Sequence, residues 1–482
     1  MKIRYLLITL LLLSCKKSEP PSAIFNGQGE LAGEVTHSSV ILQSRLTASD
    51  TLTNGDLPGA GGLARFEWSQ KEDLSDSRKS LWMRAVPEND HIIKVKIRDL
   101  EPNTVYFYRL RYGTDSTKTV NGPVRRFRTL PGENSDAGVN FAVVTGMNYH
   151  RFHYGRIDRP FLAYKGDDKD QGYPALSAIR SLDPNFVIFT GDNVYYDTPA
   201  IDSLKAKTLP ELRQKWHEQF IQPRFVELFS QVATYWEKDD HDHRYNDCDT
   251  TTNTAPSHQL GIATFREQVP VTDPEDTDPL TYRTHRLNRF LQIWLTENRD
   301  YRSPNAMPDG PLKSIWGDRQ KDWLKQTLLE SDATFKLLVS PTPMVGPDDA
   351  YKKDNHTNHE GFLHEGQEFL KWVSEHREEL GSFYVVTGDR HWQYHSIHPL
   401  GVEEFSAGAL VDANSRDARL PGDPKSTDPD ATITQPYVPA QGENTGGFLM
   451  VNGELIDGKP AVRMVFYDEK GTVLYETVKM GS

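Results

Sequence analysis

The chain has 482 residues, a length that gives room for two or three domains with sizeable hydrophobic cores. Its hydrophobic content of 37%, with 34 glycines and 30 prolines, excludes a fibrous or disordered protein and favours a loop-rich enzyme. A formal net charge of -13 argues against nucleic acid as the main partner.

The N-terminus has the pattern of an export signal. Two basic residues precede an apolar run at residues 6–13, which is too short to span a bilayer. A small residue then precedes Cys15, so the segment looks like the signal of a bacterial lipoprotein. We therefore predict a signal peptide at residues 1–15, a lipid anchor on Cys15 that attaches the protein to a membrane, and a tether at residues 16–32. The alternative is an ordinary signal peptide in which Cys15 occurs by chance.

This signal predicts an exported protein, either an outer-membrane or cell-surface lipoprotein or, failing that, a periplasmic one. Once Cys15 is set aside, Cys248 is the only other cysteine, so we expect no internal disulfide bond in the exported chain.

Residues 33–130 have the sequence pattern of a small all-β domain. Short segments such as Ile92–Ile97 alternate apolar and polar residues and are separated by turn-rich stretches. The segment Leu100–Leu110 resembles the strand entry of fibronectin type III-like sandwiches, in which a tyrosine after a turn bonds back to the backbone. A linker rich in Gly, Pro and Ser follows up to residue 138.

From residue 139 to the end at 482, strands alternate with helical stretches, which predicts a mixed or parallel sheet flanked by helices. The predicted helices cover Glu211–Phe229, Asp318–Leu329 and Glu365–Leu380. Two polar stretches, residues 250–281 and 412–442, read as long loops. Hairpin turns are predicted at Asn452-Gly453 and Lys470-Gly471 in the last segment.

Acidic and imidazole side chains follow several of the predicted strands. Asp192 comes after an apolar strand and Gly191, Asp389 comes in the same way after Gly388, and Asp240 follows a third strand. Ligands of open α/β sheets bind beyond the carboxyl ends of the strands, so we expect these groups to converge. Several carboxylates stay ionised together only with a cation between them, and this predicts a metal cluster.

The residue types suggest roles in such a cluster. Asp192 suits a bridge between two metal ions, and the phenolate of Tyr195 suits a hard, trivalent ion. Of Asp240 and His241, one suits metal binding and the other suits proton donation or substrate contact. Asn246 supplies a neutral oxygen nearby.

Asp389 and His391 are two residues apart on an extended segment, so their side chains project the same way and can reach adjacent ions. Two metals about 3.5–4 Å apart activate a water molecule and hold the attacked centre. Each of these residues by itself also fits a turn or a helix cap.

Three motifs occur in a fixed order at these strand ends. They are Gly191-Asp192-Asn193-Val194-Tyr195, then Asp239-Asp240-His241-Asp242 with Asn246-Asp247, then Gly388-Asp389-Arg390-His391. Together they resemble the signature of the alkaline phosphatase D (PhoD-like) family, a branch of the calcineurin-like metallophosphoesterases akin to purple acid phosphatases. The resemblance covers about residues 139 to 450. It implies a metallophosphoesterase-type α/β sandwich of mixed sheets flanked by helices, preceded by the small β-sandwich domain.

The resemblance also implies roles for the individual residues. Asp192 bridges the metals, Tyr195 and His391 bind the first ion, and Asp240 and Asp389 bind the second. The implied ions are Fe³⁺ and Ca²⁺, with Zn²⁺ or Mn²⁺ as alternatives.

For the remaining residues the resemblance suggests contacts with substrate. Asn246 is a candidate for a further calcium or for phosphate contact, and His241 lies near the leaving group. The nucleophile is then a metal-activated water rather than a side chain.

One position departs from the family. A cysteine that closes the first strand as an iron ligand is replaced here by Gly146. His150 or Asn148 substitutes for it, another metal is used, or the site has one ligand fewer.

Two further groups of residues are open to more than one interpretation. Arg299 and Arg390 are the predicted phosphate contacts, with an ion pair between loops as the alternative. The cluster His356, His359, Glu360 and His364 has a spacing that suits metal, although a lid or surface role is the stronger prediction.

The predicted protein is therefore an exported phosphoric ester hydrolase that acts on phosphate mono- or diesters. One alternative keeps the site but changes the substrate to a phospholipid, another diester or a sulfate ester. A second alternative is a non-catalytic surface lipoprotein on a decayed phosphatase scaffold.

Overall fold

The computed structural model describes residues 23–481, so the predicted signal peptide, Cys15 and the first part of the tether lie outside the described residues. Within residues 23–481, no helix combines the length and the apolar character needed to cross a membrane.

The N-terminal region is all-β apart from one short 3₁₀ turn. Its strands are β1 (Glu30–Gly33), β2 (Val40–Arg45), β3 (Gly62–Ser69), β4 (Arg78–Lys79), β5 (Met83–Ala85), β6 (Ile92–Ile97), β7 (Val105–Gly113), β8 (Thr119–Asn121) and β9 (Arg125–Arg128). The predicted tyrosine bond is present, since the backbone N–H of Glu101 donates to the hydroxyl of Tyr106 at 2.9 Å.

The rest of the chain alternates strands and helices. Its strands are β10 (Val139–Val144), β11 (Phe186–Thr190), β12 (Ala233–Glu237), β13 (Arg283–Arg286), β14 (Leu291–Leu295), β15 (Phe335–Ser340), β16 (Ser382–Thr387), β17 (Gln393–Ile397), β18 (Glu403–Ala407), β19 (Thr434–Tyr437), β20 (Gly447–Ile456), β21 (Lys459–Asp468) and β22 (Val473–Met480). Its helices are α1 (Tyr149–Tyr154), α2 (Pro174–Ser181), α3 (Leu209–Phe220), α4 (Pro223–Phe229), α5 (Asp240–His243), α6 (His258–Gln268), α7 (Gly317–Glu330), α8 (Leu363–Glu375) and α9 (Arg377–Leu380).

Two large sheets form the centre of the molecule. One has the strand order β22-β21-β20-β10-β11-β12-β1-β2-β6 and the other β13-β14-β15-β16-β18-β17-β19. Alternate residues of each strand point to opposite faces. Phe186 and Ile188 therefore pack into the core shared with the second sheet, while Val187 and Phe189 pack under the helices. The layers run helices, sheet, sheet, helices.

The N-terminal strands are not a separate sheet beside this centre. Gly33 of β1 pairs in parallel with Thr234 of β12, so β1, β2 and β6 extend the nine-stranded sheet. Residues 30–33 therefore belong to the sheet, and the tether predicted to reach residue 32 is too long at that end. Strands β3, β4, β5, β7, β8 and β9 form the facing sheet of the N-terminal sandwich.

Three local predictions were wrong in detail. The long helix predicted over residues 211–229 is broken into α3 and α4, because Pro223 lacks the N–H that a continuous helix needs and keeps Gln222 extended. The predicted loop at residues 250–281 contains α6, which Ser257 caps. The predicted loop at residues 412–442 contains β19.

Of the two predicted hairpin turns, the first was wrong and the second is confirmed. β20 runs straight through Asn452-Gly453, and the chain turns instead at Asp457-Gly458, where both residues have positive φ as a tight hairpin turn requires. The turn at Lys470-Gly471 joins β21 to β22 as predicted.

Candidate metal centre

The strand ends that carry the acidic motifs come together at one edge of the two central sheets. β10, β11 and β12 run parallel in one sheet, and β14, β15 and β16 run parallel in the other. A Cβ atom on Gly388 would lie 2.5 Å from Oγ1 of Thr190, and one on Gly191 would lie 2.5 Å from Cβ of Asp239. Only glycine allows these loops to approach so closely.

The two Thr-Gly-Asp turns share an unusual backbone conformation. Asp192 has φ 54° and Asp389 has φ 55°, in the left-handed region that residues with a side chain seldom occupy. Such conformations concentrate at functional sites, where the surrounding structure holds them.

The first group of donor atoms consists of Asp192, Tyr195 and His391. The Tyr195 hydroxyl lies 2.7 Å from Asp192 Oδ2, and Nε2 of His391 lies 3.2 Å from both that oxygen and the Tyr195 hydroxyl. Burial lowers the pKa of His391 well below its usual value, so the imidazole is neutral, the form that binds metal. The structure thus brings together the three side chains predicted for the first ion.

Asp240 and His241 form the second group, at the start of α5. Donor atoms of Asp192, Asp240 and His241 all lie within 4.8 Å of one another. Nδ1 of His241 lies 2.7 Å from Oδ1 of Asp197, a residue to which the sequence analysis assigned no role. Burial disfavours a charged His241, but the carboxylates of Asp197, Asp240 and Asp192 outweigh it and raise the pKa of this histidine well above its usual value.

Asp389 lies on the other side of the site. Its Oδ2 accepts a hydrogen bond from Nη1 of Arg390 at 2.7 Å, and the same nitrogen lies 3.1 Å from Oδ2 of Asp348. Burial raises the pKa of Asp389, partly offset by Arg390 and Lys352. Arg390 therefore bridges two acidic side chains at the floor of the site and offsets their charge.

Arg299 and Arg390, the predicted phosphate contacts, lie in buried ion pairs within the protein. The Arg299 guanidinium is fully buried, donates from Nε to Oδ1 of Asp239 at 2.7 Å and from Nη1 to the Cys248 carbonyl at 3.0 Å. Arg390 is equally buried. Both are ion pairs between loops, the alternative in the sequence analysis, because each neutralises an acid that would otherwise be buried unpaired. They position the motif loops.

Other cations lie closer to the open side of the site. Arg151 donates from Nη1 to Oδ1 of Asn414 at 2.5 Å, and Arg416, whose side chain is 39% exposed, donates its backbone N–H to the His391 carbonyl at 3.0 Å. Both occur outside the motifs, which explains why sequence spacing did not identify them.

A third acidic group lies beside Asp240. Donor atoms of Asp240, Asp247 and Asp354 lie within 4.8 Å of one another, and Nζ of Lys352 lies 3.0 Å from Oδ1 of Asp247. Asn246, the predicted neutral ligand, is exposed and donates its backbone N–H to Asp197 at 2.8 Å. Its neighbour Asp247 turns toward Asp240 instead, and metal binding by Asn246 stays a prediction.

The place of the missing cysteine is filled from another part of the chain. Nδ2 of Asn414 donates to the Gly146 carbonyl at 2.9 Å and to the Tyr195 hydroxyl at 2.8 Å. Asn148, one of the predicted substitutes, accepts the backbone N–H of Arg151 and so caps α1. His150 lies on α1, where its ring packs on Tyr154. Asn414, which has no strand-end pattern, therefore joins Gly146 to Tyr195 in place of the predicted substitutes.

The histidines after β15 do not form a metal site within the described residues. Nε2 of His356 bonds to Glu365 at 3.0 Å, and Nε2 of His359 bonds to the Thr427 carbonyl at 2.7 Å. His364 donates only its backbone N–H, to Asp309. The contribution of this loop to the site comes from Lys352 and Asp354.

The donor set fits metal ions. Burial raises the pKa of Asp192 well above its usual range, and neighbouring acids including Asp240 add to the effect. Its Oδ1 is buried with no hydrogen-bond partner among residues 23–481. Carboxylate and phenolate oxygens with one neutral imidazole suit hard or borderline cations, which would satisfy this oxygen and permit the acids to ionise together.

Two family models match the chain. The model described as PhoD-like phosphatase matches residues 141–439, and the model of the PhoD-like phosphatase N-terminal domain matches residues 17–131. A curated relative is alkaline phosphatase D of Bacillus subtilis (strain 168), 22% identical over 420 residues. That match covers 79% of this chain and 66% of the relative, just under two thirds of its length.

Solved structures agree with the fold. The structure of PhoD matches with a TM-score of 0.71 at 18% identity and covers 97% of this chain and 91% of that one. A purple acid phosphatase isolated from yellow lupin (Lupinus luteus) seeds matches with a TM-score of 0.59 at 11% identity and covers 95% and 74%. These matches confirm the predicted fold class.

The family models also confirm the family predicted from the strand-end motifs, and the family's description as phosphatases agrees with the predicted enzyme class, the phosphoric ester hydrolases. The family model described as PhoD-like phosphatase by itself matches more than half of the sequence. The chain belongs to the PhoD-like phosphatase family.

Proposed function

We propose that the protein is a metal-dependent phosphoesterase that hydrolyses phosphate mono- or diesters. The observation that carries the proposal is the convergence of Asp192, Asp240 and His241, whose donor atoms lie within 4.8 Å of one another. These residues come from two different strand ends, and His391 joins them from the second sheet. A fold assembles so many buried acids at one point for a cation-dependent task.

We propose that Asp192, Tyr195 and His391 hold one ion and that Asp192, Asp240 and Asp389 hold another. The resemblance favours Fe³⁺ and Ca²⁺, with Zn²⁺ or Mn²⁺ as alternatives. Ions held there would supply the positive charge that draws in the phosphoryl oxygens and promotes attack by water.

The proton for the leaving group comes, in this proposal, from His241. Its Nδ1 is engaged by Asp197, which leaves Nε2 as the nitrogen available to a leaving oxygen. Asp197 keeps the ring protonated and fixes its orientation. Packing against Tyr195, with ring centroids 4.3 Å apart, holds the imidazole from the other side.

A cleft of about 240 Å³ opens beside Asp197, the residue that bonds to this histidine. It is lined by Asp197, Lys205, Tyr245 and Asn246 among others, so one wall is shared with the carboxylate that orients His241. We propose that the alcohol part of the ester occupies this cleft. The predicted alternatives, phospholipid, another diester or a sulfate ester, differ in the group that would have to fit here.

The test is turnover of p-nitrophenyl phosphate and bis-p-nitrophenyl phosphate by the purified protein, with elemental analysis of the same sample. We expect hydrolysis of at least one ester and bound metal. Asp192→Asn should abolish turnover and lower the metal content, while Asp332→Asn, at a side chain 92% exposed, should change neither.

Each contrary result has a defined meaning. Metal-loaded protein that turns over neither ester would remove the phosphoesterase proposal. Protein that retains no metal after expression with Fe³⁺, Ca²⁺, Zn²⁺ and Mn²⁺ would favour the non-catalytic scaffold.

We also propose that the protein is exported and held on a membrane by lipid on Cys15. The support is the sequence of residues 1–15. Cys15→Ser should prevent incorporation of radiolabelled palmitate and move the protein from the membrane fraction to the soluble fraction. Unchanged fractionation of this variant would contradict the anchor.

A further inference from the structure

The acidic group formed by Asp240, Asp247 and Asp354 already contains a positively charged side chain. Lys352 lies in the loop between β15 and α8, and its Nζ is 3.0 Å from Oδ1 of Asp247 and 3.9 Å from Oδ2 of Asp354. The lysine side chain is only 12% exposed. Its neighbour Lys353 pairs with Glu360 and is half exposed, so the two lysines of this loop have different environments.

The loop holds Lys352 in place through bonds that do not involve the lysine itself. The side chain of Asn358 accepts the backbone N–H of Asp354 at 2.9 Å and of Asn355 at 3.1 Å. The amide groups of Asn355 and Asn358 donate to Asp348, which is also bound by Arg390. The loop conformation next to Lys352 is therefore fixed to the floor of the metal centre.

The charges around Nζ come from four separate segments. Asp240 belongs to α5, Asp247 follows that helix, Asp354 lies in the same loop as the lysine, and Asp389 follows β16. Arg299 and Arg390 are already paired with Asp239, Asp348 and Asp389. Oδ2 of Asp354, a residue only 1% exposed, has no hydrogen-bond partner within residues 23–481. This group therefore needs positive charge beyond the two arginines.

We propose that the ammonium of Lys352 is a built-in cation that takes the place of a divalent metal ion between Asp240, Asp247 and Asp354. An ammonium and Ca²⁺ both interact with carboxylate oxygens, but the lysine carries one charge and cannot be lost to a chelator. The chain thus needs one metal ion fewer than its carboxylates would otherwise hold. This inference rests on the proposed function only in placing the group beside the metal centre.

The test is the number of metal ions bound per chain. Wild type, Lys352→Met and the matched control Lys353→Met are equilibrated with radioactive Ca²⁺ by dialysis and then analysed for all metals. We expect Lys352→Met to bind one Ca²⁺ more per chain than wild type, and Lys353→Met to match wild type. Adding Asp354→Asn to Lys352→Met should remove the extra ion.

Equal Ca²⁺ binding by wild type and folded Lys352→Met would overturn the proposal. If circular dichroism shows that Lys352→Met does not fold, the metal content of Asp354→Asn in the wild-type background provides the test instead. The proposal expects this variant to bind as many metal ions as wild type, whereas the loss of one ion would show that a metal ion already binds there.

Ester turnover by the wild type is measured separately from metal binding. If the wild type hydrolyses esters but Lys352→Met binds no extra ion, only the proposed role of the lysine is contradicted. If Lys352→Met binds the extra ion but the wild type hydrolyses neither ester, only the phosphoesterase proposal is contradicted.

Discussion

The orientation and the charge of His241 both depend strongly on Asp197, which lies 2.7 Å from its Nδ1. Removing the carboxylate in Asp197→Asn should lower the pKa of His241, because Asp197 is the largest of the influences that raise it. The protonated fraction then falls at alkaline pH, so the basic limb of the pH–rate profile moves to lower pH. We expect kcat to fall about 100-fold for alkyl esters, the lower end of the range for general acid catalysis.

The leaving group provides the control for this prediction. p-Nitrophenolate leaves without a proton, so its ester should lose much less activity in Asp197→Asn than an alkyl phosphate. Equal losses for the two esters would show that Asp197 acts on folding or metal binding instead of on the proton.

Gly146 is a second residue at which the local geometry makes a prediction. Its φ is 69°, and a Cβ there would lie 3.0 Å from Cβ of Ala409 and 3.3 Å from Nδ2 of Asn414. Restoring the family cysteine with Gly146→Cys should therefore destabilise the fold by about 1–3 kcal/mol, since both overpacking and a left-handed backbone cost energy.

The double variant Gly146→Cys, Ala409→Gly removes the Cβ atom of Ala409, which makes the closer of these two contacts, and should recover part of the lost stability. Urea unfolding measures both variants. A Gly146→Cys protein as stable as wild type would show that the space beside Tyr195 is larger than the structure indicates.

At the scale of secondary structure elements, the site depends on how closely the loop after β16 approaches the end of β11. Gly388→Ala would place a methyl group 2.5 Å from Oγ1 and 2.7 Å from the carbonyl oxygen of Thr190. The loops must separate, so we expect a loss of about 1–3 kcal/mol of stability together with lower kcat/KM.

Gly61→Ala is the matched control, since its Cβ would meet nothing closer than 3.8 Å. Thermal unfolding and ester turnover of the two variants are compared with wild type. Full activity of Gly388→Ala would mean that the relative placement of Asp192 and Asp389 is not critical.

At the scale of the whole molecule, a cluster of buried polar and charged side chains joins the N-terminal strands to helices α3 and α6. Asp90, just after the N-terminal 3₁₀ turn, lies 2.9 Å from Nη2 of Arg45 and 2.7 Å from Nε2 of His217 on α3, and it accepts from Gln268 of α6 at 2.8 Å. Burial opposes ionisation, but His217 and Arg45 hold the pKa of Asp90 well below its usual range.

This cluster predicts how stability depends on pH. Because the pKa of Asp90 is lower in the folded than in the unfolded state, its contribution is complete above pH ~4 and is lost as the pH falls toward the folded value. Asp90→Asn should cost about 3–5 kcal/mol at neutral pH, since it removes the carboxylate that pairs with the buried Arg45 and one of the two carboxylates that flank His217, the other being Asp56. It should also flatten the acid limb of the stability–pH profile.

Urea unfolding of wild type and Asp90→Asn across this pH range measures the effect. Asn tolerates the φ of 55° at this position, so backbone strain does not confuse the comparison. If the free energy of unfolding falls equally steeply with decreasing pH in the two proteins, other groups control acid unfolding.

The sequence alone identified the features that are local to the chain. Apolar strands that end in Thr-Gly-Asp predicted β11 and β16, and their order with the Asp-Asp-His motif predicted the family that the comparisons confirm. The tyrosine bond at Tyr106 was predicted in the same way, because it joins residues close together in the chain. Periodicity and turn chemistry act over a few residues, which is why these predictions were successful.

Only the tertiary structure could show which distant groups meet. Arg299 and Arg390 were predicted as phosphate contacts because they are near the motifs in the sequence, but the fold buries them against Asp239 and Asp348. Lys352 and Asp354 lie in an irregular loop and Asn414 lies in a short 3₁₀ turn, and packing brings all three to the site. Motif spacing determines which residues follow a strand, whereas the free energy of burying charges decides which of them pair with each other and which remain open to a ligand.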